Sequence, residues 1–231
     1  MKKIVFRPNN HPISKINIDP QPSISCLPEW YKNTPSNIDN EFRFVDGGIN
    51  FTYKKCVPYL DAMSCGYLLF LSSDVYVDQS GNSEFTMQWK ISDEVISTHY
   101  KDQIKYMKIS NSYSKMPFVW NSGFTIETKN GYSCLFTHPL NRLDLPFVTL
   151  SGIVDTDKHK ISINFPFFLK KDFNGIIPKG TPIVQIIPFK RENWKISIEK
   201  TLENIDSFKK EHMSYLQNAY RKLSWSRKSY R

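Results

Sequence analysis

Apolar and polar positions alternate through most of the middle of this chain. Glu41-Phe-Arg-Phe-Val-Asp46 and Asp74-Val-Tyr-Val-Asp78 switch side chain by side chain, the period of a half-buried strand. Gly47-Gly48 marks a turn before Phe51-Thr-Tyr-Lys-Lys55, Leu60-Asp-Ala-Met-Ser64 reads as a short turn of helix, and Gly66-Tyr-Leu-Leu-Phe-Leu71 as a buried strand. Gln79-Ser-Gly-Asn82 predicts a hairpin ahead of Glu84-Phe-Thr-Met-Gln-Trp-Lys-Ile91. Residues 92–118 are less regular and predict a loop or short helix. Beyond them Phe118-Val-Trp-Asn121, Phe124-Thr-Ile-Glu-Thr128 and Tyr132-Ser-Cys-Leu-Phe-Thr137 read as strands, the last two joined as a hairpin through Lys129-Asn-Gly131. The runs 147–154, 161–168 and 182–188 complete the series.

Many short strands at regular intervals predict a mainly β protein, a barrel or sandwich, and not a parallel α/β sheet. Residues 1–40 carry six prolines, at 8, 12, 20, 22, 28 and 35, and predict an extended arm in which Trp30 and Tyr31 serve as an aromatic anchor. From 197 to 224 the period changes. Ile198, Leu202, Ile205, Phe208, Met213, Leu216, Tyr220 and Leu223 recur near helical spacing, which predicts one long amphipathic helix. The chain thus divides into an arm (1–40), a β-rich core (41–194) and a basic C-terminal helix and tail (195–231).

Composition sharpens this picture in three places. Aromatic residues make up 14% of the 231, and aromatic rings favour pleated, half-buried surfaces. A mean hydropathy of -0.45, with no long apolar run, predicts no transmembrane helix, and the apolar stretch after Met1-Lys-Lys is too short for a secretion signal. Cys26, Cys56, Cys65 and Cys134 form no C-x-x-C pair, so reduced, buried thiols are expected and no metal site. The net charge is +9, and residues 195–231 hold nine Lys/Arg against four Asp/Glu, so +5 of it lies there. Such a tail suits nucleic acid, an anionic surface or an acidic protein, with Lys222, Arg227, Lys228 and Arg231 as first contacts.

The candidate chemistry centres on Ser151-Gly-Ile-Val-Asp155-Thr-Asp157. A carboxylate at a strand end can take a proton from an attacking water, which makes Asp155 and Asp157 the catalytic candidates. Two aspartates at a tight turn equally serve to saturate backbone N–H groups, and from the residues alone that is the commoner outcome. The histidines show no metal-binding spacing, there is no phosphate-binding glycine loop, and Cys134 falls in a strand pattern that suits core better than nucleophile.

The element Gly152-Ile-Val-Asp155-Thr-Asp157, followed by Gly180-Thr-Pro-Ile183-Val-Gln185, resembles the core of the trimeric dUTPase and dCTP deaminase group. That resemblance implies a β-clip-like scaffold, a trimer, Asp155 as general base, a pocket lined by Gly180 and Gln185, and Arg142 on phosphate. It departs from the group's pattern in several places. Leu68 stands where an acidic magnesium ligand belongs, and Asn141-Arg142-Leu143 lacks the serine of the phosphate motif. His159, within Lys158-His159-Lys160, takes the place of the tyrosine that stacks under the base, and no glycine-rich flap ends the chain. Magnesium is therefore implied only if phosphates supply most of its ligands, and efficient dUTP hydrolysis is not expected.

A second resemblance covers nearly the whole chain. Pro28-Glu-Trp-Tyr-Lys32, Lys55-Cys-Val-Pro-Tyr-Leu-Asp-Ala-Met-Ser-Cys-Gly-Tyr67 and Phe136-Thr-His-Pro-Leu-Asn-Arg142 are similar to a family encoded by tailed phages, especially marine ones. It implies a viral setting, with the protein in the host cytoplasm during infection or in the virion. The expectation is a non-catalytic homo-oligomeric assembly or ligand-binding protein; the alternative is a divergent nucleotide-binding protein or nucleotide hydrolase using Asp155.

Overall fold

A computed structural model describes residues 2–10, 12–41, 43–45, 48–79, 86–89, 95–198, 205–215 and 218–230. The strands run β1 (Ile4–Pro8), β2 (Gln21–Pro22), β3 (Phe44–Val45), β4 (Gly48–Ile49), β5 (Tyr67–Phe70) and β6 (Val75–Asp78). They continue as β7 (Thr86–Trp89), β8 (Ile96–Thr98), β9 (Phe118–Asn121), β10 (Phe124–Thr128) and β11 (Tyr132–Thr137). The last are β12 (Phe147–Thr149), β13 (Gly152–Val154), β14 (Asn164–Leu169), β15 (Gly175–Ile177) and β16 (Pro182–Lys190). Three short helices accompany them, α1 (Glu29–Asn33), α2 (Val57–Ser64) and α3 (Ile205–Met213).

The protein is mainly β, as its alternation predicts. The largest sheet has the order β13-β11-β16-β5-β2, and a second has β12-β14-β9-β8. Both contribute to one core, and among the described residues no sheet closes into a barrel. Trp120 of β9 lies flat on Phe167 of β14 at 3.6 Å between ring centres, with Phe147 of β12 edge-on at 4.9 Å. The Trp120 indole donates to Thr149 Oγ1 at 3.2 Å, and that hydroxyl donates to Ile183 O of β16 at 2.6 Å. One buried hydroxyl thus satisfies a donor in one sheet and a carbonyl in the other.

The proline-rich arm is woven into this body. β1 runs antiparallel to β10, with Ile4 opposite Thr128 and Pro8 opposite Phe124, while Ile13 and Tyr31 are buried. This pairing overturns the expected hairpin at 129–131. The turn forms, with Gly131 at φ +84°, but β10 pairs with β1 whereas β11 pairs with β13 and β16. The run 147–154 is likewise not one strand, because β12 and β13 lie in different sheets. The expected β6–β7 pairing is present, with Val75 opposite Trp89; the turn residues 80–85, like 46–47, lie outside the described residues.

Among the described residues the expected long C-terminal helix is not present. Residues 191–198 have no regular structure, α3 covers Ile205–Met213, and a wide-turned segment follows at Tyr220–Ser224. Asn218 adopts a left-handed backbone at φ +64°, which a continuous helix cannot contain, and Ser214 turns its hydroxyl back on Glu211 O at 2.6 Å. The stripe is not buried either: Ile198 and Met213 are each 82% exposed. Leu202, Leu216 and Arg231 lie outside the described residues. Among the described residues no helix is long and apolar enough to cross a membrane.

Gly66 joins α2 to β5 at φ +70°, and a Cβ placed on it would sit 2.0 Å from Ile186 O of β16. No side-chain rotation relieves a clash with backbone. Gly66→Ala is expected to destabilise the protein by about 2–4 kcal/mol, read as a lower midpoint in urea unfolding.

Candidate functional site

The acidic turn after β13 is built around one arginine. Arg191, just past β16, sets Nη1 2.8 Å from Asp157 Oδ1 and Nη2 2.5 Å from Asp157 Oδ2, a two-pronged pair whose carboxylate is 2% exposed. The same guanidinium reaches Tyr132 O at 2.9 Å and Asp155 Oδ1 at 3.1 Å. Buried Ser133 donates its hydroxyl to Asp155 Oδ1 at 2.6 Å. Asp157 Oδ2 also accepts from Gly131 N at 2.8 Å, and Gly131 O accepts from Arg191 N at 2.9 Å. The turn itself closes through Lys158 N and His159 N, both donating to Asp155 O.

These bonds set the electrostatics. The bonds from Arg191 hold the Asp157 carboxyl well below the usual range, and the Ser133 hydroxyl, aided by Arg191, lowers that of Asp155. A carboxylate stabilised in its ionised form is a weak general base. Asp157 fastens the 129–131 turn to Arg191 at the end of β16, and Asp155 ties Ser133 of β11 to the same arginine.

Gln185 is 1% exposed and serves as a structural staple. Its amide donates to Ala62 O at 2.9 Å and Cys65 O at 2.6 Å, and its carbonyl accepts from Leu140 N at 2.8 Å. Arg142 makes a two-pronged pair with Asp144, Nη2 to Oδ2 2.8 Å, and its side chain is 14% exposed. Beside it, His138 accepts from Thr149 N at Nδ1 and so donates from Nε2 to Arg142 O at 3.1 Å. Burial keeps that imidazole neutral by lowering its pKa. Gly180 holds the turn before β16 at φ +85°.

Within one chain these residues fall into two groups. Gln185 lies opposite Thr137 at one end of the β11–β16 ladder, and Arg191 lies past Lys190, which faces Tyr132 at the other. Six residues of strand separate the groups by roughly 20 Å at about 3.3 Å per residue. Asp155, Asp157 and His159 form one group, and Arg142 and Gln185 the other. Of the basic tail, Lys222 lies 4.7 Å from the centre of the Tyr215 ring and Lys228 pairs with Asp61 at 2.5 Å. Arg227 is exposed.

What the structure adds is a cleft of about 350 Å³ beside the Arg191 cluster. Lys2 and Lys3 come from the strand pairing of β1, Lys129 from the turn that Asp157 and Arg191 hold, and Lys190 from the end of β16. Tyr67, Tyr132, Phe189 and Tyr230 supply aromatic walls. Lys2 Nζ stands 4.9 Å from the centre of the Tyr132 ring, and Tyr230 meets Tyr67 edge-on at 6.0 Å. Tyr230 arrives there because Trp225 and Lys228 both bind the Asp61 carboxylate of α2. Lysines distant in sequence meet here through the β1–β10 and β11–β16 pairings; the local signal was the Lys2-Lys3 doublet directly ahead of an apolar strand.

All four cysteines are free. Cys134 is buried, and burial pushes its thiol up to about 11, whereas Cys56 is exposed, contrary to the expectation of uniformly buried thiols. Among the described residues no group of three or more His, Cys, Asp or Glu side chains is placed to hold a metal ion. No protein-family model matches the chain, and comparison with curated proteins gives no match.

Two outcomes follow from these networks. Folding lowers the pKa of both Asp155 and Asp157, so their stabilisation is complete above the unfolded carboxyl value of about 4 and is lost as pH falls below it. Asp157→Asn should lower the melting temperature at pH 7 and flatten its decline between about pH 5 and pH 2, as read by thermal melts across pH. Gln185→Ala strands one buried donor and two carbonyls and should cost about 2–4 kcal/mol, measured by urea unfolding.

Proposed function

We propose that the protein is a non-catalytic, homo-oligomeric binding protein whose ligand is a nucleotide, held in the lysine and tyrosine cleft. The observation that carries this reading is the convergence of Lys2, Lys3, Lys129 and Lys190 with Tyr67, Tyr132 and Tyr230 around one space. Ammonium groups suit phosphate oxygens, and aromatic faces suit a base. A volume of about 350 Å³ falls within the range of small-ligand sites. The commitment of Asp155 to Ser133 and Arg191 supports binding without turnover. In this reading the dUTPase-like resemblance reflects a shared β-clip scaffold and a trimer, with the nucleotide site moved to the opposite end of the β11–β16 ladder from Gln185. The tailed-phage resemblance supports a setting in the infected host cell or the virion.

A thermal-shift series with nucleoside mono-, di- and triphosphates, with and without magnesium, tests the reading. At ligand concentrations near 100 times Kd the stabilisation is about 2.7 kcal/mol, a rise of roughly 5–10 °C for a chain of this size. Lys129→Glu with Lys190→Glu should abolish the rise, and Asp155→Ala should leave it. No shift with any nucleotide overturns the proposal. Turnover that Asp155→Ala removes would replace it with a hydrolase.

A further inference from the structure

The lysine and tyrosine cleft runs on into a neighbour at each of two borders. At one it shares Ser229 and Tyr230 with a cleft of about 400 Å³ whose lining includes Trp225, Arg227 and Lys228. At the other it shares Lys2, Lys3, Thr128 and Lys129 with a cleft of about 690 Å³ that Val5 and Glu127 complete. The β1–β10 pairing explains this second junction. Successive side chains of a strand point to opposite faces, so Ile4 lines the central cleft and Val5 the outer one. The three lysines lie just past the last pair of that ribbon, Ile4 opposite Thr128, and serve both faces.

Charge along this path is positive. The carboxylates beside it are already met by cations: Asp61 by Lys228 at 2.5 Å, Glu127 by Arg7 at 3.5 Å and Glu192 by Lys190 at 2.6 Å. Among the described residues Lys3, Lys129 and Arg227 are exposed and pair with no carboxylate. Aromatic side chains stand between these cations, Trp225 in the first cleft and Tyr67, Tyr132 and Tyr230 in the central one. The third cleft has no ring in its lining and offers lysines alone. The net charge of +9 adds attraction for a polyanion at longer range.

One base and its phosphates fill one cleft. Three joined clefts, with cations along all of them and rings in two, suit a ligand in which phosphate and base repeat. A duplex keeps its base faces stacked inside and cannot offer them to the rings. We propose that the ligand is a single-stranded nucleic acid, its backbone following Arg227, Lys3 and Lys129 and its bases meeting the aromatic walls between them. This inference rests on the nucleotide reading of the central cleft and names the ligand class.

The test is fluorescence anisotropy of the full chain with a labelled oligothymidylate of about eight nucleotides. Thymidine monophosphate, the same strand in a duplex and inorganic polyphosphate serve as competitors. The strand is expected to bind at least about 30-fold tighter than the mononucleotide, because each further stacked base adds to affinity. Its affinity should fall with salt at a log–log slope of about -3, as when roughly four phosphates are met by cations. Arg227→Glu, outside the central cleft, should weaken the strand about tenfold and flatten that slope, with thymidine monophosphate binding as in the wild type. A strand no tighter than the mononucleotide overturns the inference and leaves the nucleotide reading standing. A duplex or polyphosphate that competes as well as the strand also overturns it, since base faces then play no part. Absence of binding by both mononucleotide and strand overturns the two readings together.

Discussion

The ion pair between Arg191 and Asp157 fixes the working end of this molecule. Three segments meet at that pair: the end of β16, the turn before β11 and the acidic turn after β13. Alone, the 129–131 turn has little to hold it, since β10 and β11 leave it for different sheets. A largely buried carboxylate that answers both Arg191 and Gly131 N supplies what a hairpin ladder would otherwise provide. Lys129, Tyr132 and Lys190 take their places from that anchor, and the cleft takes its shape from them.

The same economy recurs at the far end of the ladder. Gln185 has both ends of its amide engaged, tying β16 to the close of α2 and to the turn at Leu140. Arg142 and Asp144 neutralise each other beside it, and His138 is fixed as a neutral ring by two backbone partners. Polar residues that look like chemistry in the sequence are here the fasteners of loops between sheets. A buried polar group must find partners wherever it lies, so side chains capable of several hydrogen bonds collect at sheet ends, where the ladder leaves backbone groups unpaired.

How much of this was legible in the sequence depends on the range of the interaction. Strand content, the short α2 and the β6–β7 pairing follow from local alternation, and the structure carries them. Asn130-Gly131 announced a turn correctly but a hairpin wrongly, because β1, more than a hundred residues upstream, takes β10. The C-terminal apolar stripe kept helical spacing across Asn218, whose left-handed backbone breaks the helix. Periodicity reports where apolar side chains recur, not whether the backbone between them stays helical. The acidic turn was found, while its partner Arg191 was not, since no short motif links residues 34 apart. The lysine cleft was hidden for the same reason.

The clasp of the C-terminal tail on Asp61 has a consequence for the order of events in this fold. It joins residues 164 and 167 positions apart through one part-buried and one exposed bond, so closing it recovers modest buried surface for a long loop. Such a contact is expected to open locally at a cost below that of global unfolding. Tyr230 is therefore expected to leave the cleft ahead of Tyr132 and Lys190, which are paired with each other at the end of the β11–β16 ladder. In hydrogen exchange the two sides of one small cavity would report different clocks.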